Sequence, residues 1–144
     1  MPMSSPAGAD SLRPQIEGRL LALYAARCMR DKGGEQIAVL ALPPGRALFD
    51  FVVIAEGRSE RQTATLASEV YHFCKRHQIH HQPVEGAVGW RVVDCFDVIV
   101  HAMLAPMRSY YALDELWKDA ESLEDLESLL DALPSLDDER AAVE

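Results

Sequence analysis

The sequence predicts an α/β domain with a mixed sheet of about five strands flanked by helices. Apolar segments with strand-like and helix-like periodicity alternate along the 144 residues. One predicted strand, residues 49–55, is apolar at every position except Asp50, which is typical of a strand buried on both faces. The composition, 49% hydrophobic and 26% charged, excludes a largely disordered chain.

The first half of the domain is predicted to contain two helices and two strands. Apolar residues at helical spacing from Ile16 to Cys28 predict a helix, which Gly33 and Gly34 end. Strands over residues 35–42 and 49–55 follow. Ser59 to Gln62 forms a capping box, so a second helix begins there and continues to about His77.

The second half is predicted to contain three strands and two helices. We expect a strand over residues 79–84, a loop over 85–89, and a hairpin of strands 90–94 and 97–104 joined by Cys95-Phe96. Pro106 opens the next helix. Ser122 is expected to cap the last helix, whose leucines recur at helical spacing until Pro134.

Charge and composition divide the chain into three parts. Residues 1–11 are predicted to be a flexible leader without the features of a secretory signal. Residues 12–120 form the domain, and residues 121–144 an acidic helical extension. Residues 1–113 hold 12 basic and 11 acidic side chains, whereas residues 114–144 hold 2 and 12. Three cysteines favour a reducing, cytoplasmic location over a disulfide scaffold, and no apolar segment is long enough to span a membrane.

Asp94 and Asp97 flank the predicted hairpin turn. Two nearby carboxylates can hold a divalent metal for nucleotidyl or phosphoryl transfer, and Gly57-Arg58-Ser59 at a strand-to-helix junction can receive a phosphate. Transfer enzymes of this kind place their acids one residue apart on a strand. The alternative is that Asp94 and Asp97 accept backbone hydrogen bonds around the turn.

Cys74, His77, His80 and His81 form a second cluster of metal-type residues. Cys74 and His77 share one helix face and could supply half of a zinc site, with His80 or His81 beyond the helix end. A second ligand pair from a separate segment is missing from the sequence. The alternative is a buried Cys74 and solvated histidines, and we expect neither a metal nor a cofactor.

Aromatic residues indicate a surface for docking a protein. Trp90 opens the predicted hairpin and is expected to be partly exposed, whereas Tyr110 and Trp117 are expected to pack in the core. His101 lies mid-strand and is expected to be hydrogen-bonded within the structure. The sequence contains no nucleophile elbow, phosphate-binding loop or dinucleotide-binding glycine motif, which argues against an enzyme.

Over about residues 16–120 the chain resembles the Iojap family, the ribosomal silencing factors. The stretches that carry the resemblance are Glu85-Gly86, Trp90 to Asp94, Asp97 to His101, and Arg108 to Trp117, with a weaker match over Phe51 to Arg61. The chain departs from the family pattern at Phe96, where the family usually has Gly, at Pro106, where it commonly has an acid, and at Ala41, where it often has Asp.

The resemblance implies a fold similar to nucleotidyltransferases without the catalytic motif. It also implies a function without catalysis. Members bind the large ribosomal subunit, mainly through ribosomal protein fourteen, block joining of the small subunit and repress translation. Some members form homodimers. A near-neutral body fits a protein partner better than bare ribosomal RNA, so we expect at most a minor RNA contact.

The residues expected to bind the partner lie on and after the hairpin. Trp90 and Val92 would supply apolar anchoring, and Asp94 and Asp97 would pair with Lys or Arg of the partner. His101 and Arg108 would order this face or contact the partner.

Overall fold

The computed structural model describes residues 16–45 and 47–136, within which six strands and five helices are found. The predicted leader, residues 1–11, lies outside them. In chain order the elements are α1 (Gly18–Asp31), β1 (Glu35–Ala41), β2 (Phe51–Gly57), α2 (Glu60–Arg76), β3 (Glu85–Ala87), β4 (Trp90–Asp94), β5 (Val98–Leu104), α3 (Ala105–Tyr110), α4 (Leu113–Leu116), β6 (Glu121–Ser122) and α5 (Leu126–Asp131). Across these described ranges, none of the helices is long and apolar enough to cross a membrane.

The strands form one mixed sheet in the order β3-β4-β5-β2-β1-β6. The central strands β2 and β5 run parallel, with Val53 opposite Val100, and every other neighbouring pair is antiparallel. Parallel neighbours need a long crossover, and α2 with the β3–β4 hairpin supplies it. The predicted α/β class and mixed sheet are therefore confirmed, with six strands rather than about five.

The two faces of the sheet are covered differently. On the first face, which we call the helix face, α1 and α2 pack over alternate strand residues such as Val53, Val93 and Val100. On the opposite face, which we call the second face, the short helices α3 and α4 pack over Ile54 and Met103. Because β2 is apolar on both faces, both layers are needed to bury it.

Helix ends follow the sequence signals closely. Gly33 takes a φ of +88° and the Gly34 N–H donates to the Met29 carbonyl, which ends α1 as predicted. The Ser59 hydroxyl accepts from the Gln62 N–H at 3.1 Å, which confirms the predicted cap of α2. The Gln62 side chain accepts from the Arg58 N–H, one residue before the position that a capping box would use.

The predicted strand over residues 79–84 is wrong. This segment is irregular, and the His81 ring instead lies 2.7 Å from the Ile79 carbonyl. Pro83 has no N–H to donate to a sheet. The strand begins at Glu85, inside the predicted loop, and pairs with β4 through Gly86, where a Cβ would lie 2.2 Å from the Trp90 carbonyl oxygen.

The prediction that Ser122 caps the last helix is also wrong. Ser122 belongs to β6 and pairs with Leu40, because the outer edge of β1 offers unpaired backbone groups. The helix α5 begins four residues later and packs against α1, with Leu130 fully buried. The Arg27 guanidinium donates to the carbonyl oxygens of Leu130 and Leu133 at the end of α5. The described part of the acidic segment is thus packed against the rest of the fold.

The turn between β4 and β5 contains Phe96 in a left-handed conformation, with φ at +68°. The Phe96 N–H donates to the Asp94 carboxylate at 2.8 Å, and the ring, which is 46% exposed, lies edge-on to His80. A side chain in this conformation costs about 1–2 kcal/mol, which glycine avoids. The turn therefore carries a conformational cost at Phe96, and the hydrogen bond to Asp94 helps to hold it.

Substitution of Phe96 tests this conformational cost. We expect Phe96→Gly to be more stable than Phe96→Ala by about 1 kcal/mol, because both remove the ring and only glycine relieves the left-handed backbone. Urea unfolding of the two variants measures the difference. Equal stabilities would mean that the turn relaxes out of this conformation when the ring is removed.

Candidate functional site

The second face of the sheet holds four of the six residues predicted to bind a partner. Trp90, Val92 and Asp94 alternate on β4 and lie opposite Met103, His101 and Ile99 of β5. On the other side of β5, His101 lies opposite Ile54 of the neighbouring strand β2. Successive strand residues point to opposite faces, so these side chains share one face while Val93 points to the helices.

An aromatic cluster, formed by Trp90, His101, Tyr110, Tyr111 and Trp117, covers one end of this face. The Trp90 ring centroid is 4.9 Å from that of Tyr111, which is 4.9 Å from Tyr110 in an edge-on arrangement. His101 lies 5.5 Å from Trp117. Tyr110 is 80% exposed and Tyr111 50%, whereas Trp90 and Trp117 are half-buried. The cluster is therefore anchored in the fold and open to solvent at its outer side.

His101 is the buried polar centre of the aromatic cluster. The Trp90 indole N–H donates to His101 Nδ1 at 3.0 Å, so His101 is neutral and carries its proton on Nε2. Burial lowers the pKa of His101 to about 4. Nε2 is buried and has no hydrogen-bond partner in the described structure. The expected internal hydrogen bond of His101 is present, and it orients the Trp90 indole.

Arg108 lies at the base of the cluster, on α3, and connects this helix to α4, β1 and β2. Its guanidinium forms a bidentate pair with Asp114 of α4, with both N–O distances at 3.0 Å. It also contacts Glu56 of β2 and donates to the Gln36 carbonyl at 2.7 Å. The Arg108 guanidinium holds the pKa of Asp114 below its usual range. Because only 11% of its side chain is exposed, Arg108 is positioned to order the segment that carries Tyr110 and Tyr111.

The structure does not bring Asp94 and Asp97 together as a pair on one face. Asp94 lies on the second face and accepts from the Phe96 N–H, as the turn interpretation expects. Asp97 is exposed and lies beside Gly18 at the start of α1. Its carbonyl oxygen accepts from the N–H groups of Asp50 and Phe51, which joins the turn to β2.

The remaining sequence candidates for metal or phosphate sites have other roles. Cys74 is buried, and its Sγ lies 3.6 Å from Sγ of Cys95, while His77 packs on Phe73. Among the described residues, no three metal-ligating side chains are grouped. At the start of α2, Glu60 binds the Arg91 guanidinium and the Gly89 N–H, which lowers the pKa of Glu60. The N–H groups of Gln62 and Arg58, which a phosphate would use, already donate to the Ser59 hydroxyl and the Gln62 side chain.

Sequence reasoning missed part of this site. Tyr110 was expected in the core and is instead the most exposed member of the cluster, so that prediction is wrong. Trp117 packs against Phe49 and His101 but keeps part of its surface open. The helical spacing of residues 110–117 suggested one continuous helix, but Ala112 takes a φ of +50° and separates α3 from α4. This break turns Tyr110 and Tyr111 outward.

Comparison with known proteins agrees with this fold. The sheet and the aromatic cluster define a small α/β protein with a mixed sheet and one aromatic face. The family model for "Ribosomal silencing factor during starvation" matches residues 15–143. The chain therefore belongs to the ribosomal silencing factor family.

Individual relatives support the same assignment. The Bacillus subtilis ribosomal silencing factor is 34% identical over 103 residues, covering 70% of this chain and 86% of the relative. The crystal structure of a Chromobacterium violaceum protein matches with a TM-score of 0.67 and 32% identity, over 71% of this chain and 87% of that one. A mouse protein named "Mitochondrial assembly of ribosomal large subunit protein 1" is 29% identical over 62% of this chain and 41% of its own length.

The buried His101 makes stability depend on pH. The pKa of this group is about 4 in the folded protein and 6.5 for a free side chain, so only the unfolded chain gains the proton between these values. The free energy of unfolding should therefore fall by about 2 kcal/mol between pH 7 and pH 5 through this group. In His101→Asn this contribution should disappear. Urea unfolding at both pH values measures it, and an unchanged difference in the variant would contradict the assignment.

Proposed function

We propose that the chain binds the large ribosomal subunit through ribosomal protein fourteen, sterically blocks joining of the small subunit and so represses translation in the cytoplasm. The aromatic cluster on the second face, next to Val92 and Asp94, is the observation that carries this proposal. Family membership supports the ribosomal setting, as does the name of the mouse relative, which refers to the large ribosomal subunit.

The chemistry of the second face suits a protein partner. Interfaces between proteins are enriched in Trp and Tyr at their centre and have polar groups at the rim. Here Trp90, Tyr110 and Tyr111 form an open aromatic edge, and Asp94 lies on the same face at the far end of the hairpin, whereas Asp97 lies beyond it beside the start of α1. A basic ribosomal protein would place its apolar side chains on the aromatic edge and a Lys or Arg on Asp94, and a second Lys or Arg would have to reach around the turn to Asp97.

The proposed action is steric and involves no catalysis. The relatives are named as silencing factors, which are regulators. In the described structure Asp94 and Asp97 hold the turn, and Arg108 is engaged with Asp114 and Glu56. These groups shape a surface. The protein, once attached to the large subunit through this face, would obstruct the small subunit simply by occupying space.

Truncation of Trp90 tests the proposed surface. We expect Trp90→Ala to weaken binding to isolated large subunits by at least about thirtyfold, which corresponds to about 2 kcal/mol for a central aromatic residue. Co-sedimentation with separated subunits measures the affinity, and the yield of joined ribosomes measures the consequence. Tyr110→Ala should also weaken binding, and it changes a side chain that is already 80% exposed.

The control is Leu20→Ala on α1. Leu20 is 38% exposed and α1 covers the opposite face of the sheet, so this truncation should leave large-subunit binding unchanged. If Trp90→Ala and Tyr110→Ala both bind as the unmodified protein does while remaining folded, the aromatic cluster is not the contact surface.

A further inference from the structure

The outer side of α2 carries a row of basic side chains that the proposed protein-binding face does not use. The side of α2 that faces the sheet is buried through residues such as Leu66 and Val70. Its opposite side, which we call the basic stripe, consists of Arg61, Thr65, Ser68, His72, Lys75 and Arg76. These residues recur at helical spacing, and the stripe extends for about 22 Å.

The basic stripe has no exposed carboxylate within it. Glu69 lies at its border, and the Lys32 ammonium at the end of α1 approaches this carboxylate to 3.9 Å. Arg61 and Lys75 have no ion-pair partner among the described residues, so their charges are available to a ligand. The stripe therefore has a positive potential although the whole chain has a net charge of −9.

The described part of the acidic segment approaches α2 at the C-terminal end of the basic stripe, where Arg76 and Asp131 line one cavity. The segment 114–144 holds 12 acidic side chains and only 2 basic ones, and α5, the helix in its described part, packs on α1. Arg30 of α1 binds Glu127 and Asp131 of α5 and partly neutralises them. Arg61 lies about 22 Å along the helix from Arg76, so the start of the basic stripe is more than a screening length from this cavity.

From these observations we infer that the basic stripe binds the phosphate backbone of RNA. Phosphate contacts in proteins come from Arg, Lys, Ser and Thr side chains, which are the types present here. A protein partner is disfavoured because α2 contributes none of the large apolar side chains that are exposed in the described structure. The inference rests on the proposed function only in that ribosomal RNA would be the backbone within reach.

The inference gives the protein two opposed binding faces. The aromatic cluster lies on the second face, whereas α2 covers the helix face, so the sheet separates them. A phosphate contact at the stripe would add to attachment without competing with a protein partner. The minor RNA contact expected from the near-neutral charge of the domain would then lie on the helix face.

Charge removal within the stripe tests this inference. Binding of the full chain to a short fluorescently labelled RNA duplex is followed by anisotropy over a series of salt concentrations. We expect Arg61→Gln combined with Lys75→Gln to weaken binding at low salt and to reduce the slope of log K against log salt by about 2, one for each phosphate contact. The double variant Arg19→Gln with Lys118→Gln changes the net charge equally outside the stripe and should keep the original slope.

Three further arms separate the alternatives. In the first two, the RNA is replaced by vesicles containing phosphatidylserine or by a polyglutamate peptide. In the third, binding of Trp90→Ala to the RNA duplex is measured. The inference is overturned if the unmodified chain does not bind the duplex at low salt, if the stripe variant keeps its slope, or if either substitute binds as tightly as RNA. Trp90→Ala should bind RNA unchanged, and the stripe variant should bind ribosomal protein fourteen unchanged. If no binding to that protein is seen but the RNA results hold, only the proposed function fails.

Discussion

The whole arrangement depends on the burial of two central strands that are apolar on both faces. β2 and β5 pair in parallel, and their side chains alternate between the helix face and the second face. The long helices α1 and α2 pack on one face, and α5 adds Leu130 to the same core. On the second face only the short helices α3 and α4 are available, so this face is closed by Trp90, Met107 and Trp117. Large rings cover a wide area from few positions, and their outer edges stay in contact with solvent. The surface proposed to bind a partner is thus a consequence of how the sheet is covered.

The polar groups of the second face are held by this same cover. His101 lies within the apolar layer and is neutral because burial disfavours its charged form. Its ring accepts the Trp90 indole proton, which fixes the indole at the edge of the hairpin. Arg108 fixes the other side, because its pair with Asp114 holds α4 against α3. A surface whose side chains are already oriented loses less conformational entropy when a partner binds. The internal hydrogen bonds of His101 and Arg108 therefore orient the side chains of the proposed contact surface before a partner binds.

Local sequence signals predicted the elements that local physics controls. The glycines after α1, the Ser59 cap and the hairpin of β4 and β5 were all found where capping and periodicity indicate. The signals failed where the structure depends on contacts between segments that are far apart in the sequence. β3 pairs with β4 at Gly86, where the backbones approach too closely for a side chain, and β6 pairs with the open edge of β1. The outward position of Tyr110 depends on the left-handed Ala112, which periodicity does not reveal. The placement of Trp90, Val92 and Asp94 on one face followed from alternation, whereas their assembly with Tyr111 and Trp117 did not.

The charge distribution links the fold to its two proposed contacts. A net charge of −9 alone would argue against any attachment to nucleic acid. The fold, however, places the described acidic segment against α1, where Arg27 and Arg30 bind it, and leaves the outer side of α2 basic. Screening in physiological salt confines each field to about 8 Å, so acidic groups near Arg76 do not cancel the charge of Arg61, about 22 Å away along α2. Net charge describes long-range attraction, whereas contact depends on the charges within a screening length of the ligand. For this reason a near-neutral domain with an acidic extension can still offer one face to a protein and the other to phosphate.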